Sequence, residues 1–215
     1  MGKNILVAAA TAKEISPFIE STRAGNFTNI DILITGIGLT ASTYHLTRQL
    51  ALKKYGLVIQ PGVAGCFDPK IGLGEVVAIK QDAIADQSVI ELEKLKTLFD
   101  LDLVPQDQYP YKKGWLINPH KGILKKMKLK IVNGVSVNQI STSKQMIKFY
   151  REVFDPVTES MEGAALHYVC LSENVPFLQI RSISNYIGER NKQKWDMMNS
   201  IVNLNETLIK IINSY

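Results

Sequence analysis

Short apolar runs alternate along the chain with longer segments whose apolar residues recur at helical spacing. The strand-like runs are NILVAA at 4–9, IDILIT at 30–35, LVIQ at 57–60, EVVAI at 75–79, KIVNGVSV at 130–137 and FLQIRSI at 177–183. Several are apolar throughout rather than alternating, the pattern of strands covered on both faces. Between them, Leu39–Lys54, Lys144–Val153, Glu162–Glu173 and Gln193–Ile212 predict helices, the last carrying Met198, Ile201, Leu204, Leu208 and Ile211 as one stripe. The pattern predicts an α/β fold with a mixed, mostly parallel central β-sheet flanked by α-helices. A chain of 215 residues suits a single domain over 1–215. Asp100–Asn118, with Pro or Gly breakers among Tyr and Trp, predicts a long loop that caps a site or lines a subunit interface.

Composition narrows the functional classes. No apolar run reaches the roughly 18 residues that cross a bilayer, and Met1–Ala10 lacks a signal-peptide pattern, so a cytoplasmic protein with no membrane partner is expected. Cys66 and Cys170 stand apart from any CxxC, HExxH or His cluster, which gives no support for a disulfide or a metal site and predicts buried, reduced thiols. The net charge of +5 comes largely from Lys121–Lys130 and Arg190–Lys194. Neither stretch interleaves aromatic residues, so solvated surface is expected there rather than contact with nucleic acid.

The candidate chemistry gathers at the ends of the predicted strands. Gly36-Ile37-Gly38-Leu39-Thr40-Ala41 has the GxGxxA form of a dinucleotide turn, but the next strand ends in Gln60-Pro61 without the acid that binds a ribose hydroxyl. A tight turn and a backbone contact to an anion or a sugar both remain open for it. Gly62-Val63-Ala64-Gly65-Cys66-Phe67 reads as a second small-residue turn, where Ala64 and Gly65 let a ring or sugar approach the backbone. Glu14 and Glu162 each have an ordinary reading as acids at helix starts. Arg181 interrupts an otherwise apolar strand, which predicts that it faces a carboxylate or a site. His45, His120 and His167 are expected to be surface or satisfied core groups. Ser184-Asn185 reads as a polar, uncharged turn closing the strand.

Taken in order, TGIGLTAS, QPGVAGC, LGEVV, ESMEGAALHYVC and PFLQIRSISN resemble the nucleoside phosphorylase and nucleosidase superfamily almost from end to end. The chain is most similar to its hydrolytic branch, which includes methylthioadenosine and S-adenosylhomocysteine nucleosidases. The SNYIGERNKQKW continuation is similar to the futalosine hydrolases, which release hypoxanthine in an alternative menaquinone pathway. The resemblance implies a small-molecule nucleoside substrate, no cofactor and a homodimer or larger homo-oligomer. It makes Glu14 the carboxylate that positions and deprotonates water, with Arg181 nearby. It gives Glu162 the ribose hydroxyls, Met161 the sugar face, and the segment Val137–Ile140, with Gln139 inside it, part of the base pocket.

The chain departs from the adenine-specific branch where that branch has Ser-Asp, since it carries Ser184-Asn185; it also has Val63 for a small hydroxyl residue and Ser160 for an acid. An Asn offers an NH₂ to a 6-oxo group and a carbonyl to a protonated N7, so Asn185 favours hypoxanthine or guanine over adenine. Asn cannot itself donate the proton that the leaving base takes up. Arg190, Lys192 and Lys194 either attract an acid at the substrate's far end or are simply a charged loop. An inosine or guanosine phosphorylase, an adenine-type nucleosidase and a nucleoside-binding module without turnover are the alternatives.

Overall fold

The computed structural model describes residues 4–25, 27 and 29–215. In chain order the elements are β1 (Ile5–Ala9), α1 (Ser16–Arg23), β2 (Ile30–Ile34), α2 (Leu39–Leu52), β3 (Leu57–Cys66), β4 (Val76–Asp82), β5 (Ser88–Glu91) and β6 (Lys94–Thr97). There follow β7 (Leu116–Ile117), α3 (Lys121–Lys126), β8 (Lys130–Ser136), α4 (Lys144–Phe154), β9 (Thr158–Ser160), α5 (Gly163–Ser172), β10 (Phe177–Tyr186) and α6 (Met197–Ser214). A single α/β domain with a mixed central sheet between helices is what the apolar pattern predicts.

The sheet runs β10-β4-β8-β9-β3-β1-β2, and β10 also pairs with β3, so five of its strands close on one another while β1 and β2 extend as a wing. Its β1–β2, β1–β3, β3–β10, β4–β8 and β8–β9 pairs are parallel. The geometry of β3 decides where a ligand can go. Its first residues, Leu57 to Ile59, pair with β1. On Gly65 and Cys66 the partner is β9 instead. Between those contacts the backbone of β3 is released from both, which leaves amides and carbonyls for side chains to claim.

Helices cover both faces of the wing. Phe18 of α1 and Leu204, Leu208 and Ile211 of α6 pack with Val7, Ile59 and Ile180 on one side. Leu46 and Leu50 of α2 and Leu166 and Val169 of α5 pack with Leu6, Val58 and Phe177 on the other. The apolar face of α4, with Phe149, Tyr150 and Phe154, covers the closed part of the sheet against Val135 and Val137. Among the described residues no helix is long and apolar enough to cross a membrane.

Three expectations need correction. The stretch Gly62–Cys66 is not a turn but the second half of β3, extended because β10 pairs along it from Val58 to Cys66. Ser184 and Asn185 likewise lie inside β10, at a bulge where Ile183 pairs with Ala64 and Asn185 with Gly65. The last helix starts at Met197 rather than Gln193, because Asp196 caps it by accepting from the Asn199 amide, after a single 3₁₀ turn at Lys192–Lys194. The apolar pattern does not predict the hairpin β5–β6 or the helix α3, and α1 enters it only as the helix that Glu14 would start.

A polar seam crosses the core where the sequence reads only as strand. Asp82 is fully buried and accepts from Ser136 Oγ at 2.9 Å and from Gln179 Nε2 at 3.1 Å. Ser136 Oγ in turn accepts from the Ala164 amide. His167 is fully buried, with Nδ1 2.8 Å from the carbonyl of Leu116, while its Nε2 and Gln179 Oε1 have no partner. Burial pushes the Asp82 carboxyl up to about 6 and holds the His167 imidazole down at about 4.

Between pH 4 and 6 the native Asp82 keeps a proton that the unfolded chain, with its carboxyl near 3.8, has lost. Wild-type stability therefore falls with rising pH on account of this group. Asp82→Asn removes the titrating group from this position. We expect that variant to gain about 2 kcal/mol relative to wild type between pH 4 and pH 7. Paired denaturant unfolding across that range measures it, and a constant difference would contradict the assignment.

Candidate active site

A cavity of about 350 Å³ opens where β1 and β9 part along β3. Glu14, Glu159 and Glu162 lie on its wall together with Asn185. A larger groove of about 860 Å³ between α2 and α5 carries only Arg48 as a charged residue, with no carboxylate or imidazole on its wall.

Glu14 is not in the first turn of α1 but in the turn before it. There Thr11 and Glu14 hold one another reciprocally: the Thr11 amide and Oγ1 donate to Glu14 Oε2 at 3.1 and 3.0 Å, and the Glu14 amide donates to Thr11 Oγ1 at 3.4 Å. This is the reciprocal pairing of a T-x-x-E capping box, made by Thr11-Ala12-Lys13-Glu14 in the turn before α1, whose own N-cap residue is Ile15. The other oxygen, Oε1, accepts from the freed Val63 amide of β3 at 3.2 Å. From α6, the buried Asn205 grips the same turn, donating to the Glu14 carbonyl and accepting from the Phe18 amide. The carboxylate is thus fixed from three elements.

Arg181 points from β10 into the interior with 1% of its surface exposed. No carboxylate lies within ion-pair distance of it among the described residues; its direct partner is Gln60, whose Oε1 accepts from Nη2 at 2.6 Å. The Gln60 carbonyl accepts from Nη1 at 3.4 Å, and Nε has no partner. The guanidinium needs the space that Gly62 leaves, because a Cβ there would fall 2.6 Å from Nη1 and 3.3 Å from Glu14 Oε1. Glu162, Glu14 and Asp82 act on Arg181 through the field rather than by contact, favouring its charge against burial.

Glu162 sits at the N-terminus of α5 and accepts from the Gly38 amide at 2.9 Å. The glycine turn before α2 therefore presents its amide to a protein carboxylate, and Gly36 and Gly38 adopt φ of +80° and +92° that suit glycine alone. Burial pushes the Glu162 carboxyl up, while Arg181 and the Gly38 amide hold it down.

Of the sequence candidates, Ala64, Gly65, Val137, Ile140, Met161, Glu162, Ser184, Asn185 and Glu14 line this cavity. Arg181 stands behind it, and Gln139 lies outside: it is exposed, its amide donating to Asp86 at 3.3 Å. Ser184 Oγ donates to Asn185 Oδ1 at 2.9 Å, and Asn185 Nδ2 donates to the Tyr186 carbonyl at 3.2 Å. Each side of that amide has a further hydrogen-bonding position, one lone pair and one N–H. The rim carries Lys13 and Arg190, the latter stacked 5.7 Å from the Trp195 ring centroid. No group of three or more His, Cys, Asp or Glu among the described residues is arranged to hold a metal ion.

Sequence reasoning missed Gln60, Thr11 and Glu159. The capping-box spacing was available for Thr11. Gln60 carried no signal beyond being polar at the end of an apolar run.

The sequence profile of the phosphorylase superfamily matches residues 8–215. A 5'-methylthioadenosine/S-adenosylhomocysteine nucleosidase of Maridesulfovibrio salexigens is 28% identical over 180 residues, covering 76% of this chain and 71% of that protein. The fold is similar to a Helicobacter pylori 5'-methylthioadenosine/S-adenosylhomocysteine nucleosidase variant solved with 5'-methylthioadenosine in its active site, at a TM-score of 0.81 and 22% identity over all of both chains. It is similar to the futalosine hydrolase of Helicobacter pylori at a TM-score of 0.80 and 20% identity, covering 99% of this chain and 98% of that one.

Replacing Arg181 by Met strips Gln60 of its donor and leaves three carboxylates without their counter-charge. We expect Arg181→Met to lose about 1–3 kcal/mol in urea unfolding, since it leaves the Gln60 acceptors unpaired, and Arg181→Lys, which keeps the charge, to lose less. Equal losses would show that the charge is not what the site needs.

Proposed function

The chain belongs to the phosphorylase superfamily, and on that footing we propose that it hydrolyses the N-ribosyl bond of a purine nucleoside whose base is a 6-oxopurine. The substrate that fits this reading best is futalosine, with hypoxanthine as the released base. The observation that carries it is Asn185, a neutral amide on the wall of a cavity otherwise rich in carboxylates. Its NH₂ donates to a 6-oxo group, and its carbonyl accepts from N7 once protonated; adenine, with a 6-amino donor, meets the wrong partner. Leaving such a group unpaired costs about 1–3 kcal/mol, a discrimination of roughly ten- to hundredfold.

In this mechanism the bond between the ribosyl carbon and the base breaks with its electron pair leaving on the base, which takes up a proton from solvent, while Glu14 takes a proton from the water that attacks the oxocarbenium-like carbon. The Thr11 and Val63 donors hold its oxygens in place, so little of the barrier is spent on orienting the base. Glu162 accepts from the ribose hydroxyls and Met161 packs on the sugar. Carboxylates around the ring favour the positive charge that develops there, and Arg181, from behind, opposes the upward push of burial on the Glu162 carboxyl. A second reading, hydrolysis of methylthioadenosine or S-adenosylhomocysteine, is favoured by the name of the 28% identical relative.

We take the working form to be a homo-oligomer. Ile37 is 64% exposed beside the cavity, and Tyr44 is 58% exposed on the neighbouring helix α2, a surface that a second copy would cover.

Purified protein is expected to release hypoxanthine from futalosine without phosphate. Chromatography of the bases released from futalosine, inosine and methylthioadenosine, with and without phosphate, separates the readings. Adenine from methylthioadenosine alone establishes the second reading, and a strict phosphate requirement establishes a phosphorylase. Glu14→Ala should abolish turnover in a protein that still folds, at a stability cost of about 1–3 kcal/mol for the donors it leaves unpaired at Thr11 and Val63. Asn185→Asp should shift preference toward 6-amino nucleosides by about tenfold or more; unaltered selectivity would remove the argument from Asn185.

A further inference from the structure

The mechanism above leaves one buried carboxylate of the cavity unused. Glu159 lies on β9 with 5% of its surface exposed and forms part of the cavity wall. Its Oε1 accepts from the Ser141 amide at 3.0 Å, and its Oε2 has no partner. A carboxylate so placed is destabilising unless something satisfies it. Ser141 Oγ, also buried, lies near enough to favour the charged carboxylate but outside hydrogen-bond geometry.

Strand register sets Glu159 in relation to Asn185. Glu159 pairs with Gly65 from one side of β3, and Asn185 pairs with the same Gly65 from the other. Residues directly opposite in neighbouring strands share a face, and two strand spacings separate the outer pair by about 10 Å between Cα atoms. Between them Gly65 has no side chain, and a Cβ there would strike Ile187 Cδ1 at 2.4 Å and approach Asn185 Nδ2 at 3.4 Å. The two polar groups therefore flank a floor made of backbone and one methyl group, a width suited to a flat bicyclic base.

We propose that Glu159 is a second base-reading residue, its carboxylate accepting the N1–H of a 6-oxopurine while Asn185 serves the O6 and N7 side. This rests on the reading of the cavity as a purine site. A 6-oxopurine presents a donor at N1 and adenine a lone pair, so an ionised carboxylate accepts from the first and repels the second. Burial pushes the Glu159 carboxyl up, while the Ser141 hydroxyl and amide hold it down. Asp86, which lies near enough to oppose its ionisation, is itself engaged by the Asn138 and Gln139 amides.

The test uses Glu159→Gln, which keeps an oxygen for the Ser141 amide and replaces the other oxygen by an NH₂. Calorimetric binding of free hypoxanthine and free adenine to wild type and variant reads the preference without requiring turnover. We expect wild type to favour hypoxanthine, and the variant to lose that preference by about ten- to hundredfold, with adenine binding unchanged or improved. Thermal unfolding of both proteins serves as the control. Equal weakening of both bases, or an unchanged preference, would make Glu159 an anchor for the Ser141 loop and overturn the proposal; so would a wild type without preference for hypoxanthine. Absence of futalosine cleavage alongside a preference lost in Glu159→Gln would instead refute the proposed reaction and leave the base-reading role standing.

Discussion

A guanidinium buried within a β-sheet is the constraint to which the rest of the site answers. Arg181 is almost wholly enclosed, and a charge in such a place persists only if its donors are occupied and its field is opposed. Gln60 supplies the acceptors, one from its side chain and one from its backbone. Gly62 supplies room, since any Cβ there would collide with Nη1. Glu14, Glu162 and Asp82 supply opposing charge from a distance. Those demands explain why β1 and β9 do not meet along β3: the strand edge between them is where backbone and side chains turn to Arg181 and Glu14 instead of to a neighbouring strand.

The parts of this arrangement that announce themselves in a sequence are those that break a pattern. Arg181 breaks an apolar run, and its burial was legible for that reason. Paired glycines announced close approach, but the cause differs between the two segments. Gly36 and Gly38 adopt positive φ, whereas Gly62 and Gly65 lie in an extended strand where neighbouring side chains would collide with a Cβ. A local reading cannot distinguish a turn from a strand crowded by its neighbours, because the crowding residues, Arg181 and Ile187, lie more than a hundred positions away.

Other features stayed hidden because their partners supply the meaning. The Gln81-Asp82 ending of β4 looks like the polar close of a strand; only Ser136 and Gln179, brought from β8 and β10, make Asp82 an interior residue. The hairpin β5–β6 turns through Leu92 and Glu93, both at positive φ, where Asn and Gly are the readable signal. The direct partner of Arg181 was equally hidden. A charged residue predicts an opposite charge, yet a neutral amide meets it here, and the carboxylates stand further off where they remain available to a ligand.

That economy of charge bears on why position 185 holds an amide. Glu14, Glu159 and Glu162 already line one small cavity, and Lys13 and Arg190 on the rim and Arg181 behind it are the cations nearby. A carboxylate at 185 would stand abreast of Glu159 across Gly65, with only backbone and the Ile187 methyl between them. Like charges in a shared, partly desolvated space raise each other's pKa, so the protonation of either, and the face it presents to a ligand, would depend on the other. Asn185 removes that ambiguity. Its donor and acceptor are fixed by Ser184 Oγ and the Tyr186 carbonyl whatever the protonation state of its neighbours. An amide at 185 and a carboxylate at 159 are then two halves of one arrangement, in which the neutrality of the first permits the charge of the second.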